Sequence, residues 1–426
     1  MIPEVRRQLV DGVTVLSASS PSGWQGAMLM FRVGRFDETL PASGITHLVA
    51  HLAFSGPEGP AYPFNAEVNG RFTTFFMESS APADVADFVA TVCRGLAGDH
   101  SARLEQEKRV LRTEAVSRNG AGVLGSCLVE RYGAAGPGLA GYEEYGLRNL
   151  VWEQVAAWRS RWFTAENAVL CLFGDVPVGL HIDLPHGRVL EMPVLRPCPV
   201  QLPAFAVTGR GGIGMSLVGS EAVANTVALD ILQRRLTDEL RHNRGLSYSI
   251  QGATEHLGAH VRHTWLAADT LPEQAAMTGH VMLGTFEKLA GSGCTPEELA
   301  GYSRRLRDAY QSPGGPVLIM RRQATQILCC QAARDPGDTL RLVEQVTCGD
   351  VASAASSLFK QMIVATPQLI PAVQGRMPRL PLWSTVPVAG GVTYRRRDSA
   401  VTLTMADGGV MVTAEPASSR RCARIR

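Results

Sequence analysis

This sequence has no excess of either charge: 41 Lys and Arg stand against 39 Asp and Glu, a formal net charge of +2 at pH 7. A near-neutral chain offers no electrostatic case for nucleic acid or an anionic membrane as partner. No stretch of about 18 apolar residues occurs, so nothing reads as a membrane-spanning helix. The nine cysteines are odd in number and none follows a C-x-x-C spacing. That argues against a disulfide framework and for a reducing compartment. The opening MIPEVRRQLVDGV lacks the apolar core of a signal peptide, which makes the cytoplasm the expected location. The C-terminal SSRRCARIR is locally basic but short, and reads as a solvated tail.

What is present is the composition of a globular protein, 45% hydrophobic and 19% charged over 426 residues, too long for one ordinary core. Two strands, VTVLSASS and GAMLMFRVG, precede a helix starting near Ser43 or Gly44 and running through Phe54. GRFTTFFMESS reads as a strand, and DVADFVATVCRGLAG as a helix with Val85, Phe88, Val89 and Val92 on one stripe. A charged helix follows from Ser101 to about Arg118, and NAVLCLFGDV closes the half as a strand. Prolines 185, 193, 197, 199 and 203 then interrupt all periodicity. The second half repeats the order: strand GIGMSLVGS, long helix EAVANTVALDILQRRLTDELRH, hairpin GLSYSIQGATEHLGAHVRHTWLAA, then further helices. One of these starts after Thr295, a capping-box residue with Glu298 three positions on. The expected domains are 1–190, a Pro-rich linker 191–204, a second domain 205–366 and a β-rich extension 367–426. The repeated order suggests an ancient duplication.

Within SGITHLVAHLAFSG, His47 and His51 are four residues apart. On a helix both imidazoles lie on one face and can reach one metal ion. Such a pair alone is weak evidence, since core and surface histidines share the spacing. Glu107 and Glu114, seven apart on the charged helix, also share a face and could supply a third ligand, although LEQEKRVLRTE reads equally as a solvated charged stripe.

The combination, in this order, resembles the M16 metallopeptidases, the family of insulysin, pitrilysin and the mitochondrial processing peptidase. The resemblance runs from about Leu9 to at least residue 350, and its centre is FRVGRFDETLPASGITHLVAHLAFSG, which matches the family's inverted H-x-x-E-H helix. It implies zinc ligands at His47, His51 and Glu114, with Glu107 supporting Glu114. In LRHNRGLSY it also implies a pair, Arg241 and Tyr248, that holds the substrate backbone and stabilises the oxyanion. Read only locally, Arg241 is a helix-end cation and Tyr248 a half-buried strand aromatic.

Two features depart from the family. The interval from His51 to Glu107 is short, suggesting a trimmed loop near GPEGPAYPF. More consequential, the position of the general-base Glu holds Ala50. A methyl group can neither take a proton from the attacking water nor deliver one to the leaving amine, help worth roughly 10²–10⁴-fold in rate. The chain as written is expected to be impaired as a peptidase yet able to bind zinc. Three explanations for Ala50 stand open: an engineered knock-out, a natural non-catalytic subunit that pairs with an active one, or a decaying site.

Two further motifs are set aside. Gly209 to Gly214 matches G-x-G-x-x-G, but a strand rather than a helix follows it. His256, His260 and His263 fall on a hairpin and read as solvent-facing, not as a second metal site.

The expected fold is therefore α+β, of the LuxS/mitochondrial-processing-peptidase-like kind: two similar domains, each an antiparallel sheet flanked by helices. They should close like a clamshell, with zinc on one wall and Arg241 and Tyr248 on the other. An unfolded or precursor peptide would add a strand to a sheet edge, with GRFTTFFMESS as the expected edge strand. The length resembles that of the family's short, dimer-forming members, so a homodimer or a heterodimer with another M16 subunit is expected.

Overall fold

The computed structural model describes residues 2–423 apart from 21–22, 55–60, 118–122, 175, 199, 210, 382–389, 396–400, 407–408 and 415–418. The first half contains β1 (Arg6–Val10), β2 (Val13–Ala18), β3 (Gln25–Phe31), α1 (Ile45–Ala53), β4 (Phe64–Val68), β5 (Thr73–Ser79), α2 (Pro82–Ala97), α3 (Leu104–Ser117), α4 (Val123–Tyr132), α5 (Trp152–Trp162) and β6 (Ala168–Phe173). Its sheet has the order β1-β2-β6-β3-β5-β4. The second half contains β7 (Ala204–Val207), β8 (Ile213–Ser220), α6 (Val223–Thr237), β9 (Ile250–His256), β10 (Val261–Ala268), α7 (Ala275–Ser292), α8 (Pro296–Gln311), α9 (Gly315–Leu328), α10 (Pro336–Glu344), α11 (Cys348–Lys360), β11 (Ile363–Thr366) and the short α12 (Pro371–Gln374). Its sheet has the order β7-β11-β8-β10-β9.

The order suggested by the sequence is repeated in the topology. β2-β3-α1-β4-β5-α2 returning through β6 corresponds to β7-β8-α6-β9-β10-α7 returning through β11. In both halves the returning strand runs parallel to the first one, β6 to β2 and β11 to β7, while the other pairs are antiparallel. The sheets are thus mixed rather than purely antiparallel. A strand that returns after several helices is free of the hairpin constraint that imposes antiparallel pairing.

Alternation along the strands builds a layered molecule. Val13, Val15, Leu29, Phe31, Leu170 and Leu172 face α1 and α2, whose buried stripe includes Val85, Phe88, Val89 and Val92. Leu16, Met30, Val169 and Cys171 point the other way, onto Met320, Ala324 and Leu328 of α9. In the second sheet, Met215, Leu217 and Val364 face α6, α7 and α11, while Ile363 and Ala365 pack with Cys127 of α4. Each half therefore lends one helix to the inner face of the other half's sheet. The helix order across the molecule is α1/α2, first sheet, α4 and α9, second sheet, α6/α7/α11.

The seam between the halves is unusually polar. Arg71 donates through Nε (3.0 Å) and Nη2 (2.7 Å) to the carbonyl of Leu257. Asp37 accepts from Arg71 at 3.0 Å and from Arg32 at 2.9 Å, with all three side chains at most 2% exposed. Arg131 donates to the Ser216 carbonyl at 2.8 Å, and His263, fully buried, sits 2.9 Å from Ser216 Oγ. The expectation of solvent-facing histidines holds for His260, which is exposed, and fails for the other two: α4 covers the face of β10 that carries His263, and His256 lies 3.7 Å from the Cys329 thiol.

Ile213 and Gly214 open β8, so the glycine-rich stretch leads into a strand; its Arg210 lies outside the described residues. Thr295 forms the expected capping box with Glu298. The C-terminal region makes its own sheet of β12 (Val392–Arg395), β13 (Thr402–Ala406), β14 (Gly409–Ala414) and β15 (Ser419–Ala423). The basic tail is thus partly a strand, because the free edge of β14 offers its backbone a ladder of partners. Among the described residues no helix is long and apolar enough to cross a membrane.

Candidate metal centre

The histidine helix begins where three local features coincide. Gly44 has φ +90°, a conformation that costs a side-chain-bearing residue strain. The Glu38 carboxylate accepts from the backbone N–H of Gly44 at 2.8 Å and of Thr46 at 2.9 Å, satisfying donors that a helix start leaves without intrahelical partners. Glu38 is fully buried, and desolvation raises its pKa to about 7 despite those hydrogen bonds. Apolar residues of α1, including Leu48, Val49 and Leu52, then pin one face to the sheet. His47 and His51 are left on the outer face.

There the two imidazoles stand edge to face with ring centroids 4.8 Å apart. α3 crosses them and brings Glu114: its Oε2 lies 3.7 Å from His47 Nε2 and 3.7 Å from His51 Nε2. One ligand atom from each of the three residues lies within 4.8 Å of the other two. Ligands about 2.0–2.1 Å from a tetrahedral zinc ion are separated by about 3.3 Å, so this set needs only a small contraction to close around a metal. The remaining ring nitrogens are also held. His47 Nδ1 is 3.1 Å from Glu144 Oε1, and His51 Nδ1 is 3.4 Å from Glu107 Oε2. Carboxylates in those positions fix the tautomer that leaves Nε2 as the ligand atom. Burial, followed by the neighbouring His47, holds the His51 pKa below its ordinary value and favours the neutral, metal-binding form.

Glu107 therefore stands behind His51, not behind Glu114 as expected. Seven residues of helix advance about 10.5 Å, too far for two carboxylates on one helix to meet, whereas one turn of α1 lies directly opposite. Glu144 was missed. It lies 97 residues from His47, on a segment without periodicity. The one local signal for it is Gly44: a Cβ there would come within 2.7 Å of Leu147 and 2.9 Å of Glu144. The bare glycine is what admits the 144–147 segment to the histidines.

Ala50 is 1% exposed and belongs to the core under α1. Arg241 follows α6 in a π-helical turn, Asp238–Asn243, and its guanidinium lies 5.1 Å from the ring of Tyr248. Tyr248 is 76% exposed rather than half-buried in a strand. The pair is thus assembled, but it is not brought to the histidines. α1 covers the outer face of the first sheet and α6 the outer face of the second, with both sheets and the α4/α9 layer between them. The proposed edge strand is corrected too. GRFTTFFMESS contains β5, which is covered on both sides by β3 and β4, so β4 is the terminal strand on that side. The segment GPEGPAYPF before it lies largely outside the described residues.

No family model matches the chain. The stromal processing peptidase of chloroplasts from rice (Oryza sativa, subspecies indica and japonica) is 25% identical over 250 residues, covering 52% of this chain and 20% of the relative. The chain thus spans about a fifth of the length of these curated relatives. A protease from Helicobacter pylori superposes with a TM-score of 0.71 at 16% identity, covering 86% of this chain and 99% of the other. An inactive M16 peptidase domain from Pseudomonas fluorescens superposes with a TM-score of 0.69 at 15% identity, again over 86% and 99%. The protein has the two-domain α+β fold of the M16 peptidases, and the likeness first seen around its histidine helix extends through both halves.

Proposed function

We propose that this chain is an M16-type subunit that binds zinc through His47, His51 and Glu114 and receives extended peptides in front of that centre. The observation that carries this reading is the convergence of two imidazoles and a carboxylate on one point, with Glu144 and Glu107 behind the rings. Zinc held there would supply Lewis-acid polarisation of a peptide carbonyl. The protein's own part is to orient the ligands, to present β4 as a strand on which a peptide backbone can pair, and to hold a proton acceptor at position 50. With Ala50 that last part is missing, so the chain as written holds peptides rather than cutting them. With Glu at position 50 it is an endopeptidase for unfolded or precursor peptides.

In this reading a second subunit supplies the wall carrying Arg241 and Tyr248; the layered arrangement, with α1 and α6 on opposite outer faces of one chain, supports it. A homodimer satisfies the requirement, because each copy carries both sets; a heterodimer with another M16 subunit also does. The cytoplasm is the proposed setting, on the strength of nine cysteines without disulfide spacing.

A second reading is a natural non-catalytic subunit that captures peptides for an active partner. Ala50 favours it, as does the likeness to an inactive M16 domain. The test compares zinc-dependent hydrolysis of a quenched fluorescent peptide library by this chain and by its Ala50→Glu form. Cleavage by the Glu form that a chelator abolishes supports the peptidase. Silence of both, with peptide binding retained, supports the capture subunit.

A further inference from the structure

Two sulfur atoms from distant parts of the second half meet in its outer helical layer. Cys294 lies in the turn between α7 and α8, and Cys348 is the first residue of α11. Their Sγ atoms are 3.4 Å apart although 54 residues separate them along the chain. Cys294 is buried and Cys348 is partly exposed. No sequence spacing marks such a pair, because only the packing of α7 against α11 brings the two turns together.

Three features hold the sulfurs opposite one another. Gly293, at φ +72°, lets the two backbones touch: a Cβ there would come within 2.5 Å of the Cys348 carbonyl oxygen. Arg235 of α6 donates to the Gly293 carbonyl at 3.1 Å and pairs with Glu298 at 2.7 Å, which pins the turn on both sides of Cys294. Thr347 fixes the start of α11: its Oγ1 accepts from the Asp350 backbone N–H at 3.1 Å, and the Asp350 carboxylate accepts from the Thr347 N–H at 2.9 Å. Bonded sulfurs lie about 2.0 Å apart. With the backbones already in contact, the remaining approach falls to the two side chains.

We propose that Cys294 and Cys348 are a reversible disulfide pair, closed by small disulfides such as oxidised glutathione and opened by thiols. The bond would staple a loop containing α8, α9 and α10, and α9 is the helix that packs on the first sheet. Closing a long loop restricts the unfolded chain, so the oxidised protein should resist unfolding more than the reduced one.

The more exposed Cys348 meets the oxidant first. Its thiolate attacks one sulfur of oxidised glutathione; the new mixed disulfide forms as the glutathione S–S bond breaks and one glutathione thiolate leaves. Cys294 then loses its proton to water and attacks the Cys348 sulfur, expelling the second glutathione thiolate. Two electrons pass from the cysteines to glutathione, which ends as two thiols. Burial, with Cys348 beside it, pushes the Cys294 thiol up to about 12, so ring closure is the slower step, within the seconds-to-hours range of such exchanges.

The test needs neither zinc nor peptide. The chain is incubated with oxidised glutathione or with dithiothreitol, alkylated after unfolding, and weighed intact. The oxidised sample should lack two alkylated thiols, carry no glutathione, and give a Cys294–Cys348 cross-linked peptide on digestion. Its urea midpoint should rise, and dithiothreitol should return it to the reduced value. Cys348→Ser should abolish both the cross-link and the rise while matching the parent's midpoint in dithiothreitol. Cys294→Ala should also lose the cross-link and retain glutathione on Cys348. A stable glutathione adduct on the parent chain, a cross-link between other cysteines, or a full count of free thiols would overturn the pair. A Cys294–Cys348 bond that leaves the urea midpoint unmoved would overturn the staple.

Discussion

Glu144 holds His47 from behind: its two carboxylate oxygens lie 3.1 and 3.2 Å from Nδ1, while Nε2 faces Glu114. Glu107 does the same for His51. Removing either charge should leave the metal ligands present but less basic and less well aimed. Glu144→Gln and Glu107→Gln are each expected to weaken zinc binding by roughly 10–100-fold, read by competition with a chromophoric chelator. His47→Ala or Glu114→Ala should weaken it further. An unchanged affinity in Glu144→Gln would remove that residue from the centre.

Gly44 is where the helix start and the Glu144 segment meet. Ala at this position must adopt a positive φ and push against Leu147 and Glu144. Gly44→Ala is expected to cost about 1–3 kcal/mol of stability and to weaken zinc binding as Glu144 is displaced. Both are measurable on one preparation, by urea unfolding and by chelator competition. A loss of stability without any loss of metal affinity would show that Glu144 is held independently of Gly44.

Restoring the proton acceptor is the direct test of what Ala50 removes. Ala50→Glu should raise peptide hydrolysis by at least about 10²-fold over the chain as written, with the gain abolished by a chelator. Because residue 50 is buried, the variant's thermal midpoint should be recorded alongside its rate.

The seam between the halves depends on Asp37, which answers two buried guanidinium groups. Burial lowers the Arg71 pKa and Asp37 opposes that shift. Asp37→Ala leaves both cations uncompensated and should destabilise the protein by about 3–5 kcal/mol, seen as a lower urea midpoint. A change below about 1 kcal/mol would mean that water reaches the pair.

His263 makes the same seam sensitive to acid. Burial and the nearby Arg131 lower its pKa from 6.5 to about 3. The folded state therefore holds the neutral ring, and its stabilising share is intact above pH 6.5. As pH falls from 6.5 towards 3, the unfolded chain takes up a proton that the folded one does not, at a cost approaching about 1.4 kcal/mol per pH unit. His263→Gln should flatten the dependence of unfolding free energy on pH across that window. An identical slope in both proteins would assign the acid sensitivity elsewhere.

Much of this protein can be read in one dimension. The stripe of Val85, Phe88, Val89 and Val92, the i,i+4 histidines and the i,i+7 glutamates are local regularities of the α-helix. Helical geometry alone therefore places His47 with His51, and Glu107 with Glu114, on common faces. The duplicated order of strands and helices is also local, because turn residues and periodicity mark each element.

The sequence by itself determined the two-domain class and the elements other than β4, α4 and α5, and it placed His47 with His51 and Glu107 with Glu114 on common helix faces, since each follows from periodicity or spacing along a single helix or strand; Glu114 as third ligand came from the family resemblance. Only the tertiary structure decided what stands behind those residues and what faces them. Glu144 reaches His47 across 97 residues because Gly44 leaves room for it, and no pattern in either segment encodes that approach. α6, which leads into Arg241, and α1, which carries the histidines, cover opposite outer faces because alternation in both sheets turns them outward, while α4 and α9 fill the space between. Which face of a sheet meets the other half is a property of packing, settled by where apolar surface can be buried, and it appears only when both sheets are assembled.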